Sequence, residues 1–321
     1  MHKEKSYINI IPKSEVKYVI IAICTYKRVV ELERLLNNLL MLNYPKNIKT
    51  EILVIDNDLS KSAERIVKNY NNLLNIEYFT EKNKGLSNVR NKALHVAISK
   101  KATHLAFIDD DEIADKNWLI NHIEFYDNFE NIYISSGPTY KRFDKNYPDY
   151  IVNNKIFKTI SRKELGKYKK TCASGNVFFP LDIVQKNNIY FNEKYNFSGS
   201  EDTDFFSRLS EVGYNIGWNY NAVNFEIVCS ERANIQYILK RAFHNGHSVS
   251  KVKFLNNKTR HRKYFYITEK IVTVFFNLII VILIIPFGLT KTVNAITRAV
   301  NNFGKLLGAL NPERKFDFYG K

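Results

Sequence analysis

The chain has 321 residues, 45% hydrophobic and 25% charged, which fits one large domain, or one domain plus an appendage, around a sizeable core. Its formal charge is +16, and the excess is lopsided: Glu231 to Lys321 holds 16 Lys and Arg against 4 Asp and Glu, a net of +12, which leaves +4 for everything before it. That basic tail asks for an anionic partner, a nucleic acid or a membrane surface, while three scattered cysteines (Cys24, Cys172 and Cys229) with no C-x-x-C exclude a disulfide framework and fit a reducing compartment.

Met1 to Lys17 has no apolar stretch long enough for a signal peptide, so this extension (1–17) precedes a catalytic part expected in the cytoplasm. Tyr18 to Ile23 is a short, β-branched apolar run that reads as a buried strand. Leu32, Leu35, Leu36 and Leu39 follow at helical spacing. Glu51–Ile55 is a second strand, and Ala63, Ile66, Val67 and Tyr70 a second helical stripe. Ile76–Phe79 is a third strand, Leu86 to Ala97 a third helix and His104–Ile108 a fourth strand. Such alternation builds a mostly parallel sheet flanked by helices. After residue 130 it fades: Asn131–Ser136 and Asn176–Phe179 read as strands, Phe205–Val212 as a helix, and Phe143–Lys170 as a long polar and aromatic loop or flap over the site.

In such sheets ligands bind beyond the carboxyl ends of the strands. Here those ends carry Thr25-Tyr26-Lys27-Arg28, Asp56-Asn57-Asp58 and Asp109-Asp110-Asp111-Glu112. Adjacent carboxylates repel one another unless a cation sits between them, and hard oxygens suit Mg²⁺ or Mn²⁺. A nucleotide diphosphate brings further oxygens to the same ion, which then stabilises charge on the departing diphosphate. An acidic turn, or the start of a helix where Asp and Glu are favoured, is the better explanation of the tripeptide when it is taken alone. Asp56 can accept a hydrogen bond from a nucleobase N–H or close an Asx-turn. Gly85 permits a tight entry to the third helix, and Arg90, one turn inside, can reach a donor or sit on a solvated face. The acids of Gly199–Asp204 can cap a helix or supply a general base.

In this order and combination, Ile23–Arg28, Val54–Asp58, Lys84–Asn91, Phe107–Glu112, Trp118-Leu119, Ala173–Asn176, Ser200–Asp204, Arg232 and Arg241–Gly246 resemble a family 2 glycosyltransferase over roughly residues 18 to 250. The resemblance implies an α/β GT-A fold and an inverting enzyme of bacterial surface-polysaccharide type. Its donor would be a nucleotide diphosphate-sugar, a UDP-sugar foremost, and its acceptor a saccharide, lipid-linked in such systems. By the same resemblance Thr25 and Tyr26 line the nucleoside pocket, Asp56 binds the base, and Arg90 and Asp110 help hold the donor. Asp109 contacts the ribose side. Asp111, the last acid of a D-x-D motif, ligates Mn²⁺ or Mg²⁺. Asp202 is the catalytic base, Glu201 supports it, and Gly175 and Asn176 line the acceptor side. Lys27 departs from the pattern, standing where many members have Asn.

Beyond the 18–250 catalytic domain, Ile271–Leu289 is almost wholly apolar and sits at the lower edge of spanning length. Lys251 to Lys270 holds seven Lys and Arg before it, and a basic amphipathic stripe (Val293 to Leu307) follows. Basic flanks on both sides favour a re-entrant or in-plane insertion on the cytoplasmic face over a single span, so 251–321 reads as a membrane-associated region. The rivals are a basic protein that binds nucleic acid or membrane without catalysis, and a nucleotidyltransferase. The first predicts cations interleaved with exposed aromatics on one folded surface, whereas here the charge brackets an apolar segment. The second predicts a glycine-rich loop after the first strand, where Thr25–Arg28 has no glycine. His244 and His247 lack an evident third metal ligand. The reading therefore includes no nucleic-acid partner.

Overall fold

The structure, a computed structural model, describes residues 12–159, 164–255 and 260–312. The expected extension (1–17), the polar stretch (143–170) and the C-terminal region (251–321) each lie partly outside the described residues. The alternating half forms as its periodicity requires: β1 (Tyr18–Thr25), α1 (Val29–Leu39), β2 (Lys49–Asp56), α2 (Glu64–Asn69), β3 (Ile76–Thr80), α3 (Leu86–Ser99) and β4 (His104–Asp109). These strands are parallel, in the order β3-β2-β1-β4. The chain winds to one side of β1 and then to the other, which opens a crevice between β1 and β4 at their carboxyl ends.

The strands read as unbroken apolar runs because both faces of the sheet are covered. Val19, Ile21 and Ile23 join Leu32, Leu35, Leu36 and Leu39 of α1 in one core. Ile20 and Ala22 join Val89, Ala93, Leu94 and Ala97 of α3 in the other. A period of two in the strand and of 3.6 in the helices produces this division.

The second half comprises β5 (Glu112–Ala114), α4 (Trp118–Asn128), β6 (Ile134–Ser136), β7 (Thr139–Phe143), α5 (Asp149–Val152), β8 (Tyr168–Lys169), β9 (Asn176–Pro180), α6 (Asp182–Asn187), α7 (Glu201–Glu211), β10 (Ile216–Trp218) and β11 (Asn224–Val228). β9 lies antiparallel to β4 and β6, β10 runs parallel to β6, and β8 completes an eight-stranded sheet. The carboxyl ends of β1, β4, β6 and β10 therefore share one rim with the start of β9. A separate sheet, β5-β11-β7, places Glu226 opposite both Glu112 and Lys141.

Two expectations change here. α7 begins at Glu201, ahead of the expected Phe205, so Glu201 and Asp202 lie inside its first turn. The 143–159 part of the expected 143–170 flap is packed: Ile151 and Phe157 join Val228, Ala233 and Ile238 in a third core. Its aromatic content serves that packing, so this part is no free flap.

Helices α8 (Ile235–Leu255), α9 (Arg260–Ile284) and α10 (Leu289–Leu310) complete the fold. The boundary expected at residue 250 falls inside α8. Helix α10 runs parallel to α8 with the two backbones touching: a Cβ on Gly246 would stand 1.9 Å from the Asn301 carbonyl oxygen, and one on Gly304 2.2 Å from that of Phe243. Asn301 Nδ2 donates to the Ala242 carbonyl at 2.9 Å. The first turns of α10 are tied to the sheet-bearing body by Asn154 Nδ2 donating to Thr297 Oγ1 (3.1 Å) and Lys155 N to Asn294 Oδ1 (2.9 Å). Helix α9 packs on α10 and turns back to it through Ile285–Phe287. His261–Phe287 contains an 18-residue stretch of mean hydropathy 2.5 and is, by length and composition, long and apolar enough to cross a membrane, and Phe265, Phe275, Ile282 and Leu283 are each at least 60% exposed.

Candidate active site

β4 delivers Asp109 to the rim, hydrogen-bonded in register with Cys24 of β1, and the turn into β5 carries Asp110, Asp111 and Glu112. The Asp109 side chain is 44% exposed, whereas the other three acids are buried. Asp110 accepts from Thr25 Oγ1 at 2.8 Å and from Arg28 Nη1 at 2.9 Å. Asp111 Oδ2 accepts from Arg28 Nη1 at 3.1 Å and Arg232 Nη2 at 2.5 Å. Arg232 also donates to Glu226 Oε1 at 2.7 Å, and Lys141 pairs with the same carboxylate.

Environment separates these carboxyls. Burial would raise Asp111, but Arg232 and then Arg28 overcome it and hold the group below the usual carboxylate range. Burial pushes Asp110 up to about 7 against the pull of Arg28. Glu112 is pushed well above its ordinary value by burial and then by Asp109 and Asp111. Among the described residues no three His, Cys, Asp or Glu side chains converge as a complete metal cage. The ionised Asp111 and the open Asp109 still offer hard oxygens of the type Mn²⁺ and Mg²⁺ take, and crowding of acids around Glu112 is what a dication relieves. The residues present fit a cation that draws its remaining ligands from a bound diphosphate.

Arg90 ties this cluster to α7. Buried at 7% exposure, its guanidinium pairs with Glu201 and reaches Asp109 Oδ1 at 3.5 Å. Burial pushes Glu201 up to about 7, with Arg90 pulling the other way. The adjacent Asp202 is half-buried and accepts from Thr203 N through Oδ1 at 2.6 Å. The helix N-cap is Ser200, which makes no side-chain capping bond, so the first-turn N–H of Thr203 is met by Asp202 itself.

On the other flank Tyr26 is half-buried between the ammonium groups of Lys27 and Lys84, 5.4 and 4.9 Å from its ring centroid. Lys27 has φ 55°, a left-handed conformation that Asn tolerates better than Lys, which gives a backbone reason for Asn in the resembling pattern. Gly85, at φ 142°, is required twice over, since a Cβ there would lie 2.3 Å from Asn196 Cγ.

The structure gives four expected site residues inward-facing tasks. Asp56 is fully buried; its carboxylate accepts from Asp58 N (2.9 Å), Ala63 N (3.0 Å) and Tyr78 Oη (2.9 Å), closing the turn after β2. The Thr25 hydroxyl donates to the Asp110 carboxylate, which Arg28 also engages, pinning the β1 loop to the β4 loop. Asn176 accepts from Trp118 Nε1 and His122 Nε2 and donates to the Pro138 and Ala222 carbonyls, so its amide has no group left for an acceptor. Gly175 does stand at the acids: a Cβ on it would be 2.7 Å from Asp109 Oδ2. Tyr26, Arg90, Asp109, Asp111, Glu201 and Asp202 remain on or next to the rim. Arg28, Arg232 and Asn57 belong to the motifs and also serve the site. Asn57 pins the Gly85 loop, accepting from Gly85 N at 2.8 Å and donating to the Glu81 and Asn83 carbonyls. The signal for the arginines was charge balance, because three adjacent acids demand nearby cations.

The sequence profile of glycosyl transferase family 2 matches residues 20–187. The succinoglycan biosynthesis protein ExoM of Rhizobium meliloti (strain 1021) is 27% identical over 235 residues, 73% of this chain and 74% of that protein. The S. aureus TarS 1–349 structure in complex with UDP is 17% identical with a TM-score of 0.52, covering 90% of each chain. The mannosyltransferase PcManGT of Pyrobaculum calidifontis in complex with GDP-Man and Mn²⁺ is 16% identical with a TM-score of 0.57, covering 96% of this chain and 77% of that one. Among longer relatives the chain spans 45% of another S. aureus TarS structure and 28% of the E. coli chondroitin synthase. These structural likenesses show a GT-A-type fold, and with the profile covering half of its length the chain belongs to glycosyl transferase family 2, a glycosyltransferase that uses a nucleotide-sugar donor.

Proposed function

We propose that the chain moves a sugar from a nucleotide diphosphate-sugar, UDP-linked, to a saccharide acceptor with inversion, in the assembly of a bacterial surface polysaccharide. The observation that carries this is the Arg90 bridge: one guanidinium joins Asp109 of the D-x-D rim to Glu201, the neighbour of Asp202. Donor-side acids and the general-base candidate are thereby held at one crevice. The succinoglycan role named for the Rhizobium relative supports the polysaccharide setting, and the UDP and Mn²⁺ named for the structural neighbours support the donor and the metal.

Asp111, with Asp109 beside it, would hold Mn²⁺ or Mg²⁺, which when bound neutralises charge on the diphosphate. Arg28 and Arg232 stand where they can steady the same phosphates. The acceptor hydroxyl attacks the anomeric carbon from the face opposite the diphosphate. The carbon–oxygen bond to phosphate breaks with its electron pair leaving on the nucleotide diphosphate, and Asp202 takes the hydroxyl proton. A panel of nucleotide-sugars with Mn²⁺ or Mg²⁺ should show nucleotide diphosphate release from at least one donor. Release from none, with or without metal, would refute the reading.

The membrane belongs to the same proposal. Helix α10 touches the catalytic half from Asn294 to Thr297 and α8 from Asn301 onward, so it stays with the globular body. Helix α9, packed along α10, then lies beside that body with both flanks on one side. This geometry favours in-plane insertion over a span, and we assign it to the cytoplasmic face, next to a lipid-linked acceptor. Replacing Phe275, Ile282 and Leu283 together by Gln should lower binding to anionic vesicles by about tenfold or more, since each buried apolar side chain contributes about 1.5–3 kcal/mol, while donor hydrolysis is unchanged. Flotation with liposomes tests this; equal binding by the triple variant would contradict it.

A further inference from the structure

The turn that leads into Asp202 has an uncommon backbone. Gly199 has φ 67° and Ser200 φ 73°, so two consecutive left-handed residues run straight into Glu201 and Asp202 at the start of α7. Glycine takes that conformation freely, whereas serine holds it only where its surroundings over-determine it. The turn is gripped from two sides. On one side is α3: Leu86 N donates to the Asn196 carbonyl and Asn88 N to Asn196 Oδ1, each at 3.1 Å. Arg90 of the same helix pairs with Glu201.

On the other side is α8. Ser248 Oγ donates to the Ser198 carbonyl at 3.1 Å, and Lys251 Nζ donates to Ser198 Oγ at 2.7 Å. Three residues apart, these side chains share one face of the helix. His244, one turn earlier on that face, also hydrogen-bonds the Ser198 backbone. The Ser198 hydroxyl, accepting from the ammonium, directs its own proton to the Gly199 carbonyl at 3.5 Å. The peptide groups on either side of Gly199 are thus both tied to α8. Lys251 is 2% exposed, and its ammonium stands 5.4 Å from the centroid of the buried Tyr195 ring. A buried ammonium is costly unless it donates to partners, so this one has little freedom to leave Ser198.

Resting on the reading of Asp202 as the general base, we infer that Lys251 is a positioning residue for the reaction: it locks Ser198 and the left-handed Gly199–Ser200 turn, and so fixes the Asp202 carboxylate against the attacking hydroxyl. Ser248 serves the same lock through the Ser198 carbonyl. Asp111, on the donor side, is held by a separate set of contacts, from Arg28 and Arg232. Loss of the lock therefore acts on proton transfer and leaves donor binding in place. Lys251 also lies just past residue 250, the boundary expected from sequence, so α8 belongs to the catalytic machinery beyond that point.

Lys251→Met keeps the reach of the side chain and removes the ammonium. In hydrogen exchange of the full chain, residues 198–206 should exchange about tenfold faster or more in this variant, the scale of one lost charge-assisted hydrogen bond, while β1 to β4 stay as in the wild type. With UDP-glucose and UDP-N-acetylglucosamine as donors, Mn²⁺, and water as the acceptor, kcat for UDP release should fall by about tenfold to a hundredfold, the cost of a misplaced reacting group. Donor KM should stay within about twofold. Ser198→Ala should behave alike, and the double variant should lose no more than either single one, because both remove the same bond. Unchanged exchange in 198–206, an unchanged kcat, or losses that add in the double variant overturn the inference. Faster exchange throughout the chain also overturns it, by making Lys251 a residue of general stability. Asp202→Asn is measured alongside: turnover equal to the wild type's rejects the base reading, whereas its inactivity beside a fully active Lys251→Met sinks the lock alone. No UDP release by the wild type counts against the UDP-donor reading and leaves the exchange result to decide the lock.

Discussion

Asp202→Asn is expected to lower sugar transfer by about 10³-fold, within the 10²–10⁴ that a positioned general base contributes, and to leave donor affinity within about twofold. The reason lies in how labour is divided at the first turn of α7. Glu201 is buried and carries the ion pair with Arg90; Asp202 is half-buried, with Oδ1 steadied by Thr203 N. Asn has the same shape and keeps an acceptor oxygen for that bond, so the turn should persist. It cannot take a proton from an attacking hydroxyl. Glu201→Gln is the informative contrast: it leaves the buried Arg90 with Asp109, 3.5 Å away, as its remaining carboxylate, and breaking a buried pair costs at most about 3–5 kcal/mol. That variant should lose folded protein as well as turnover, visible as a lower melting temperature. Transfer by Asp202→Asn within about tenfold of wild type would place the base elsewhere.

Residues 18 to 109 were legible because each element announces its period. Val19, Ile21 and Ile23 must face one way and Ile20 and Ala22 the other, so a run apolar on both faces implies a covered sheet, and its polar ends imply the rim. Beyond β5 the signal weakens for a physical reason. β6, β8 and β10 have three residues or fewer, too few for a period to show, and their order in the sheet depends on pairings distant in sequence. Asp109, Asp111, Glu201 and Asp202 are legible as rim candidates because acids stand in adjacent letters at element ends, and Arg90 because it lies one turn inside the third helix. The inward turns of Thr25, Asp56, Asp110 and Asn176 could not, since a carboxylate aimed at a nucleobase and one closing an Asx-turn share a sequence. Nor did the tail reveal that α10 folds back onto α8: Gly246, Gly304 and Gly308 match across two helices sixty residues apart, and only the assembled fold brings their backbones into contact.

Asp111→Asn is expected to remove the metal response of turnover and to lower transfer by about 10²–10³-fold, the scale on which a single electrostatic contact to the departing group acts. Of the three aspartates it is the one that flanking cations hold ionised: burial alone would favour its neutral form, and Arg232 and Arg28 reverse that balance. An ionised, nearly buried carboxylate beside the half-exposed Asp109 is the strongest anchor the rim offers to a dication. The amide keeps an oxygen for the guanidiniums, and both retain second partners, Arg28 on Asp110 and Arg232 on Glu226, so the loop should stay folded at neutral pH. The sign of the pH effect follows from the lowered pKa. Asp111 contributes its full share of stability above the unfolded carboxylate value of about 4, and that share is lost as pH falls through its lower folded value. The stability gap between wild type and Asp111→Asn should therefore be widest at neutral pH and close in acid. Titrating Mn²⁺ against nucleotide diphosphate release measures the first effect, and denaturant unfolding at a series of pH values the second. A variant whose turnover still rises with Mn²⁺ as the wild type's does would move the cation to Asp109, whereas a stability gap that persists undiminished in acid would mean that Arg28 and Arg232 do not act on Asp111 through its charge.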